Sequence, residues 1–433
     1  MKKNFFKYVL PCILAFALSG VYAIVDGFFV GRSIGDAGLA AINIAYPLTA
    51  LIQAIGTGIG MGGAIQFAIE VGRGDEKRQK GYFTYTLFLL AGACIVVTAA
   101  LLLAATPLLR LFGAEGQLLQ LAQDYMQIIV YGAALQILGT GLIPLIRNLG
   151  GVVTAMMAMI AGFLTNIALD YLFVSVLERG MAGAALATII GQGVTMVICL
   201  AFLLRRRAHT SIAAMRSLQK GPAAILASAV SPFGLTFSPN IILIFVNRAA
   251  LLYGGEDAVA VYAVIAYVTV IVQLLLQGVG DGCQPLLSQY YGQGDRLSAK
   301  TILKMAFIFA FSLAAVCMIS MFFLREAVPI LFGASPAVTA GVSAAMPFFL
   351  AGFLFIAFLR VAIAYFYATH KNLVAYLLIY GEPLLLLLLL FLLPPLLQLD
   401  GIWLSIPVTQ GCLAVLAVFL LKRQQAADMA QRP

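Results

Sequence analysis

Apolar runs long enough to cross a bilayer, which takes about 20 helical residues each, recur a dozen times between Tyr8 and Leu421, with almost no polar sequence left over. Nothing else in the chain limits its fold as much. The spans are predicted at 8–32, 36–64, 83–106, 119–145, 150–174, 181–204, 223–252, 257–285, 301–324, 336–368, 371–395 and 399–422. Composition agrees: 63% of the 433 residues are hydrophobic, 10% are charged and the mean hydropathy is +1.03, outside the range of soluble domains. The expected fold class is therefore an all-α polytopic membrane protein with twelve transmembrane helices. Lys2, Lys3 and Lys7 ahead of an apolar run imitate a signal peptide, but the run outlasts a short h-region, so span 1 is expected to be retained.

The net charge of +9 raises the question of a nucleic-acid partner. Taking the N-terminus as cytoplasmic places all but five of the 26 Lys and Arg residues on the inner side, the exceptions being Arg32, Arg110, Arg179, Arg248 and Arg325. That asymmetry is the positive-inside signal and accounts for the basicity without a polyanion. Both termini are then cytoplasmic. Six cysteines sit singly in apolar spans, and His209 and His370 are the only histidines, so neither a disulfide framework nor a metal site is indicated.

Displacing the chain by 220 residues aligns 56–80 with 276–300. The identities are Gly58/Gly278, Gly60/Gly280, Gly62/Gly282, Gly72/Gly292, Gly74/Gly294, Asp75/Asp295 and Lys80/Lys300. The same offset pairs "LFGA" at 111–114 with "LFGA" at 331–334. The chain is an internal duplication with an even number of spans per copy, so the two repeats are parallel. Expected boundaries are an N-lobe at 1–204, a basic cytoplasmic linker at 205–222, a C-lobe at 223–422 and a tail at 423–433. The glycines ending spans 2 and 8 are read as sites of close helix approach, followed by a turn into a loop.

Four acidic residues are predicted at membrane depth: Asp26, Asp170, Asp281 and Glu382. A charged carboxylate at the bilayer centre costs at least about 2.5 kcal/mol, so each needs a partner, a wet cavity or a proton. At ~1.5 Å per residue, Asp26 on span 1, Asp170 on span 5 and Thr188 on span 6 all lie roughly 6–10 Å below the outer boundary. Asn166, four residues before Asp170, shares its helical face. Two carboxylates brought together in low dielectric suit a site that loads a proton on one side and loses it on the other; a structural hydrogen-bond network is the competing reading. Pro11 removes a backbone hydrogen bond from span 1 and is expected to bend it.

The second half is chemically different. Asp26 aligns with Asn247 at an offset of 221. Glu382, between Gly381 and Pro383, is open to three readings: a cation-recognising acid, a second proton site, or a partner of Arg360. Gly278 to Asp281 spells the GxGD pattern of intramembrane aspartyl proteases, but such an enzyme needs a second aspartate on the preceding span, which has none. An enzyme is not expected.

These residues resemble the multidrug and toxic compound extrusion (MATE) family, of the MOP superfamily, over essentially the whole chain. The resemblance rests on "VDGFFVGRSIGDAGLAAINIAYPL" (25–48), "NIALDYLF" (166–173), "GMAGAALAT" (180–188), "GDGCQPLLSQYYGQGD" (280–295) and "GIWLSIP" (401–407). It implies two six-helix lobes around a central cavity and export of amphipathic, often cationic compounds against a proton or sodium gradient. In the branch it resembles, the cation-coupling roles fall on Asp26, Asn166, Asp170 and Thr188, and the helix-1 bend on Pro11. That branch also leads one to expect an arginine near Glu382, where this chain differs.

The expected function is secondary active antiport, with protons as the coupling ion and sodium as the alternative, in a bacterial inner (plasma) membrane. Small amphipathic or cationic substrates and membrane lipids are the expected partners, the chain acts as a monomer, and no cofactor is called for. Asp281, Asn247 and Glu382 are candidate substrate or second proton sites. A lipid-linked saccharide flippase shares the plan, but should carry more cations at membrane depth than Arg360 and Arg147 supply.

Overall fold

A computed structural model describes residues 1–206, 210–331 and 334–430. His209 in the linker and Phe332 and Gly333 of the second "LFGA" lie outside the described residues. Fourteen α-helices account for nearly all of these residues, and among them there is no strand. In order they are α1 (Lys2–Ile34), α2 (Asp36–Arg73), α3 (Glu76–Leu111), α4 (Gly116–Tyr131), α5 (Ala133–Asn148), α6 (Val152–Asp170) and α7 (Gly180–Arg205). There follow α8 (Ile212–Arg216), α9 (Gly221–Gly292), α10 (Arg296–Leu324), α11 (Ala327–Leu331), α12 (Pro336–Ala368), α13 (Asn372–Leu392) and α14 (Pro394–Ala430).

Ten of these helices are long and apolar enough to span a membrane, and α4 with α5, bent by 58° at their junction, form an eleventh span. The twelfth comes from α9. Its 72 residues would extend about 108 Å at ~1.5 Å each, over three times a bilayer's hydrocarbon thickness. It is broken at Gly255, whose φ of 67° and ψ of −159° lie outside the helical region, as predicted for the turn between spans 7 and 8. That backbone region is essentially reserved for glycine, so Gly255→Ala is expected to cost about 1–2 kcal/mol, read as a lower melting temperature in detergent. An unchanged melting temperature would show that the loop relaxes freely.

Span 4 departs from the expected single rod. The bend falls at Gly132, on which the side chain of Ile189 packs directly. By contrast α1 is helical without a break from Lys2 to Ile34, Pro11 included.

The chain divides into two compact units. One comprises Lys2–Phe237 with Ser288–Asp295, the other Ser238–Leu287 with Arg296–Pro433. The core of the first unit is built from α2, α3, α4, α5 and α7 around Leu90, Ile129, Ile137, Leu142 and Ala184, all fully buried. At one end of α2 the buried Glu70 accepts from Arg73 Nη1 at 2.8 Å and Arg78 Nε at 3.1 Å, clasping the α2–α3 turn. In the second unit α12 is buried along most of its length and packs against α10, α13 and α14.

Candidate functional site

Helix α6 brings two of the predicted polar residues into the interior of the first unit because its neighbour comes close. Gly162 of α6 lies against the backbone of Gly191 on α7, and a Cβ on Gly191 would in turn come within 3.0 Å of the Asn166 Cβ. Small residues facing one another let helix backbones meet in an apolar medium. Thr195 of α7 fixes the pair by donating to the Ala158 carbonyl at 3.2 Å. Asn166 is consequently 3% exposed and Asp170 0%.

Immediately after Asp170 the helix changes pitch. Tyr171–Val176 is a π-helix, closed by a hydrogen bond of 2.8 Å from Leu177 N to Leu172 O. Single π turns inside α-helices are found disproportionately at functional sites, because the extra residue per turn redirects the side chains around it. Here it lies directly beyond the carboxylate.

The structure brings Asp26 of α1 to Asp170, with the two carboxyl groups facing each other. Among the described residues, none donates to Asp26 Oδ1 or to either Asp170 oxygen, and both amide atoms of Asn166 are buried without a hydrogen-bond partner. Thr188 joins the group from α7, its hydroxyl donating to the Ala184 carbonyl at 3.0 Å. Two residues not predicted complete the ring. The hydroxyls of Tyr22 on α1 and Tyr125 on α4 lie within interaction distance of Thr188 and of both carboxyl groups. Tyr22 is held there by stacking on Phe163, with centroids 5.1 Å apart and planes at 10°. In a chain with 17 tyrosines, no sequence signal distinguishes these two.

Chemically, this is a cluster rich in acceptor oxygens, with no cationic side chain among the described residues acting on either carboxyl group. Unsatisfied buried polar groups are costly, and two facing carboxylates more so. A proton shared between them, or a hard monovalent cation ringed by carboxyl, amide and hydroxyl oxygens, satisfies the set. Pro11 is remote from it, lining a small void with Cys12, Ile143, Arg147, Met156 and Met159.

The second unit holds the other candidates in a separate group. Asp281 of α9 accepts from Gln277 Nε2 at 2.8 Å and from the Tyr367 hydroxyl at 3.2 Å. Arg360 of α12 donates to Gln277 Oε1 at 3.3 Å and Gln273 Oε1 at 3.1 Å, with Glu382 of α13 within electrostatic reach. The side-chain oxygen of Asn247 is buried without a hydrogen-bond partner among the described residues. The protease pattern gains no support, since the other acids of α9, Glu256 and Asp257, lie roughly 36 Å along the chain from Asp281 at ~1.5 Å per residue.

A family model, MatE, matches residues 11–172 and 227–392. The multidrug export protein MepA of Staphylococcus saprophyticus is 24% identical over 325 residues, covering 74% of this chain and 71% of that protein. Among solved structures, the outward-facing conformation of a multidrug resistance MATE family transporter of the MOP superfamily is similar with a TM-score of 0.94 at 22% identity. That match covers 99% of this chain and 97% of the other. A MOP superfamily transporter from Pyrococcus furiosus, described by the reverse polarity of its binding pocket, gives 0.92 at 23% identity over 100% and 97%. With one matched segment in each copy of a duplicated helical chain, the protein belongs to the MatE family of multidrug and toxic compound extrusion transporters.

Proposed function

We propose that this chain is a secondary active multidrug efflux antiporter of the inner (plasma) membrane, with both termini cytoplasmic, that exports amphipathic and cationic compounds as a monomer. The observation carrying this reading is the pair of facing carboxyl groups of Asp26 and Asp170, on two helices of a MatE-family protein, where no donor among the described residues satisfies the buried Asp26 Oδ1 or either Asp170 oxygen. Family membership supplies export; the site supplies a place for the coupling ion.

A proton arriving from outside turns one carboxyl group into a donor for the other, which draws α1 onto α6. Losing that proton to the cytoplasm restores repulsion across the pair and loosens the contact. Asn166 and Thr188 supply further oxygens around the ion, and Pro11, which already lacks one backbone bond, gives α1 a place to bend when the contact changes. Rocking of the two lobes expected at 1–204 and 223–422 then alternates exposure of the substrate.

The test is efflux of a lipophilic cation dye from proteoliposomes under an imposed pH gradient, then under a sodium gradient. Flux driven by the pH gradient is expected. Flux with sodium alone would transfer the site to sodium, and an absence of flux with either would overturn the export reading for such cations.

A further inference from the structure

Arg360 is a fixed charge at membrane depth that makes no ion pair among the described residues. Its guanidinium is held by neutral groups instead, the side-chain oxygens of Gln273 at 3.1 Å and Gln277 at 3.3 Å. Glu382 is treated the same way: it is within hydrogen-bonding reach of the amide of Gln410 on α14, and Arg360 acts on it only through space. A cation and an anion are thus held near each other by amides and kept from neutralising each other directly. Charged groups are expensive in this setting and are retained where they serve a pathway or a ligand.

The positions are built rather than incidental. Gln277 accepts from Arg360 and donates to Asp281, which fixes its orientation. Asp281, 3% exposed, is held in turn by Tyr367, 1% exposed. Arg360, Glu382, Gln273 and Gln277 are partly exposed, whereas Asp281, Tyr367 and Gln410 behind them are buried. The two charged residues are therefore among the less buried members of the group, and the residues that orient them are its most buried. A guanidinium presents five N–H donors in a planar fork suited to a carboxylate, and only two of the five face glutamine oxygens.

We infer that Arg360 and Glu382 form a recognition site for zwitterionic amphiphiles, with Arg360 receiving the carboxylate of the compound and Glu382 its cationic group. The inference rests on the export reading above and names the class of substrate the second unit selects.

Rhodamine B and its methyl ester test it, because they share one cationic ring system and only the parent carries a carboxylate. With the purified full-length protein in detergent, fluorescence polarisation should show rhodamine B bound more tightly than the ester. Arg360→Gln should weaken rhodamine B about tenfold, the usual worth of one charge-assisted contact, while leaving the ester within twofold. Glu382→Gln should weaken both. If Arg360→Gln fails to fold, Arg360→Lys keeps the charge without the fork and should lose part of the preference. Equal loss of both dyes in Arg360→Gln, no preference in the wild type, or no binding of either dye would overturn the inference. Selective binding without gradient-driven flux in liposomes would overturn the export reading and leave this site standing.

Discussion

Asp170→Asn is expected to lower gradient-driven efflux by about tenfold or more while leaving the protein folded, with a melting temperature equal to or above that of the wild type. The two halves of this expectation have separate causes. Asp170 is wholly buried and faces Asp26 with both oxygens lacking a hydrogen-bond partner, so its carboxyl group is not part of a satisfied network. Replacing it with an amide of the same shape relieves repulsion and supplies a donor to Asp26, both favourable to the fold. Transport loses the exchangeable proton, because an amide donates permanently and cannot release one to the cytoplasm. A structural role predicts the reverse pattern, with stability falling and flux following it down. Asp26→Asn should behave like Asp170→Asn. Retained gradient-driven flux in both variants would remove the pair from the coupling path.

The quartet Asp26, Asn166, Asp170 and Thr188 was legible because acids and amides are conspicuous in apolar helices and their depth follows from position along a helix. The break between spans 7 and 8 was legible for a similar local reason, a pair of glycines and two acids, 254–257, between long apolar runs. What escaped depends on contacts between residues far apart in sequence. Tyr22 and Tyr125 join the site only because α1 and α4 both face Thr188. The π-helix after Asp170 has no residue signature, since "YLFVSV" reads as ordinary apolar helix. Glu70 is not among the four acids predicted at membrane depth, yet it is 1% exposed, held by two arginines of the α2–α3 turn. The surroundings of Arg360 and Glu382 escaped for the same reason, because the glutamines that hold Arg360 stand more than 80 positions before it in the sequence.

Gly72→Val and Gly292→Val are each expected to cost about 3 kcal/mol or more, and the double variant less than their sum by on the order of 1 kcal/mol. These two glycines are partners in the 220-residue repeat, and they make reciprocal contacts. A Cβ on Gly72 would overlap the carbonyl of Gln289, and a Cβ on Gly292 would overlap the carbonyl of Ile69, the repeat partner of Gln289. The duplicated ends of α2 and α9 thus cross backbone to backbone, each glycine lying against a carbonyl of the other helix. Elsewhere in a helix, replacing glycine by a larger residue gains a few tenths of a kcal/mol or more from backbone entropy, so a loss here has to come from the crossing. Because one crossing carries both contacts, the first valine drives the helices apart and the second enters space already opened. Melting temperatures of the two single variants and the double variant in one detergent give the cycle. Strict additivity would show that the two contacts are independent, and unchanged melting temperatures in the single variants would show that the helices do not meet at these glycines.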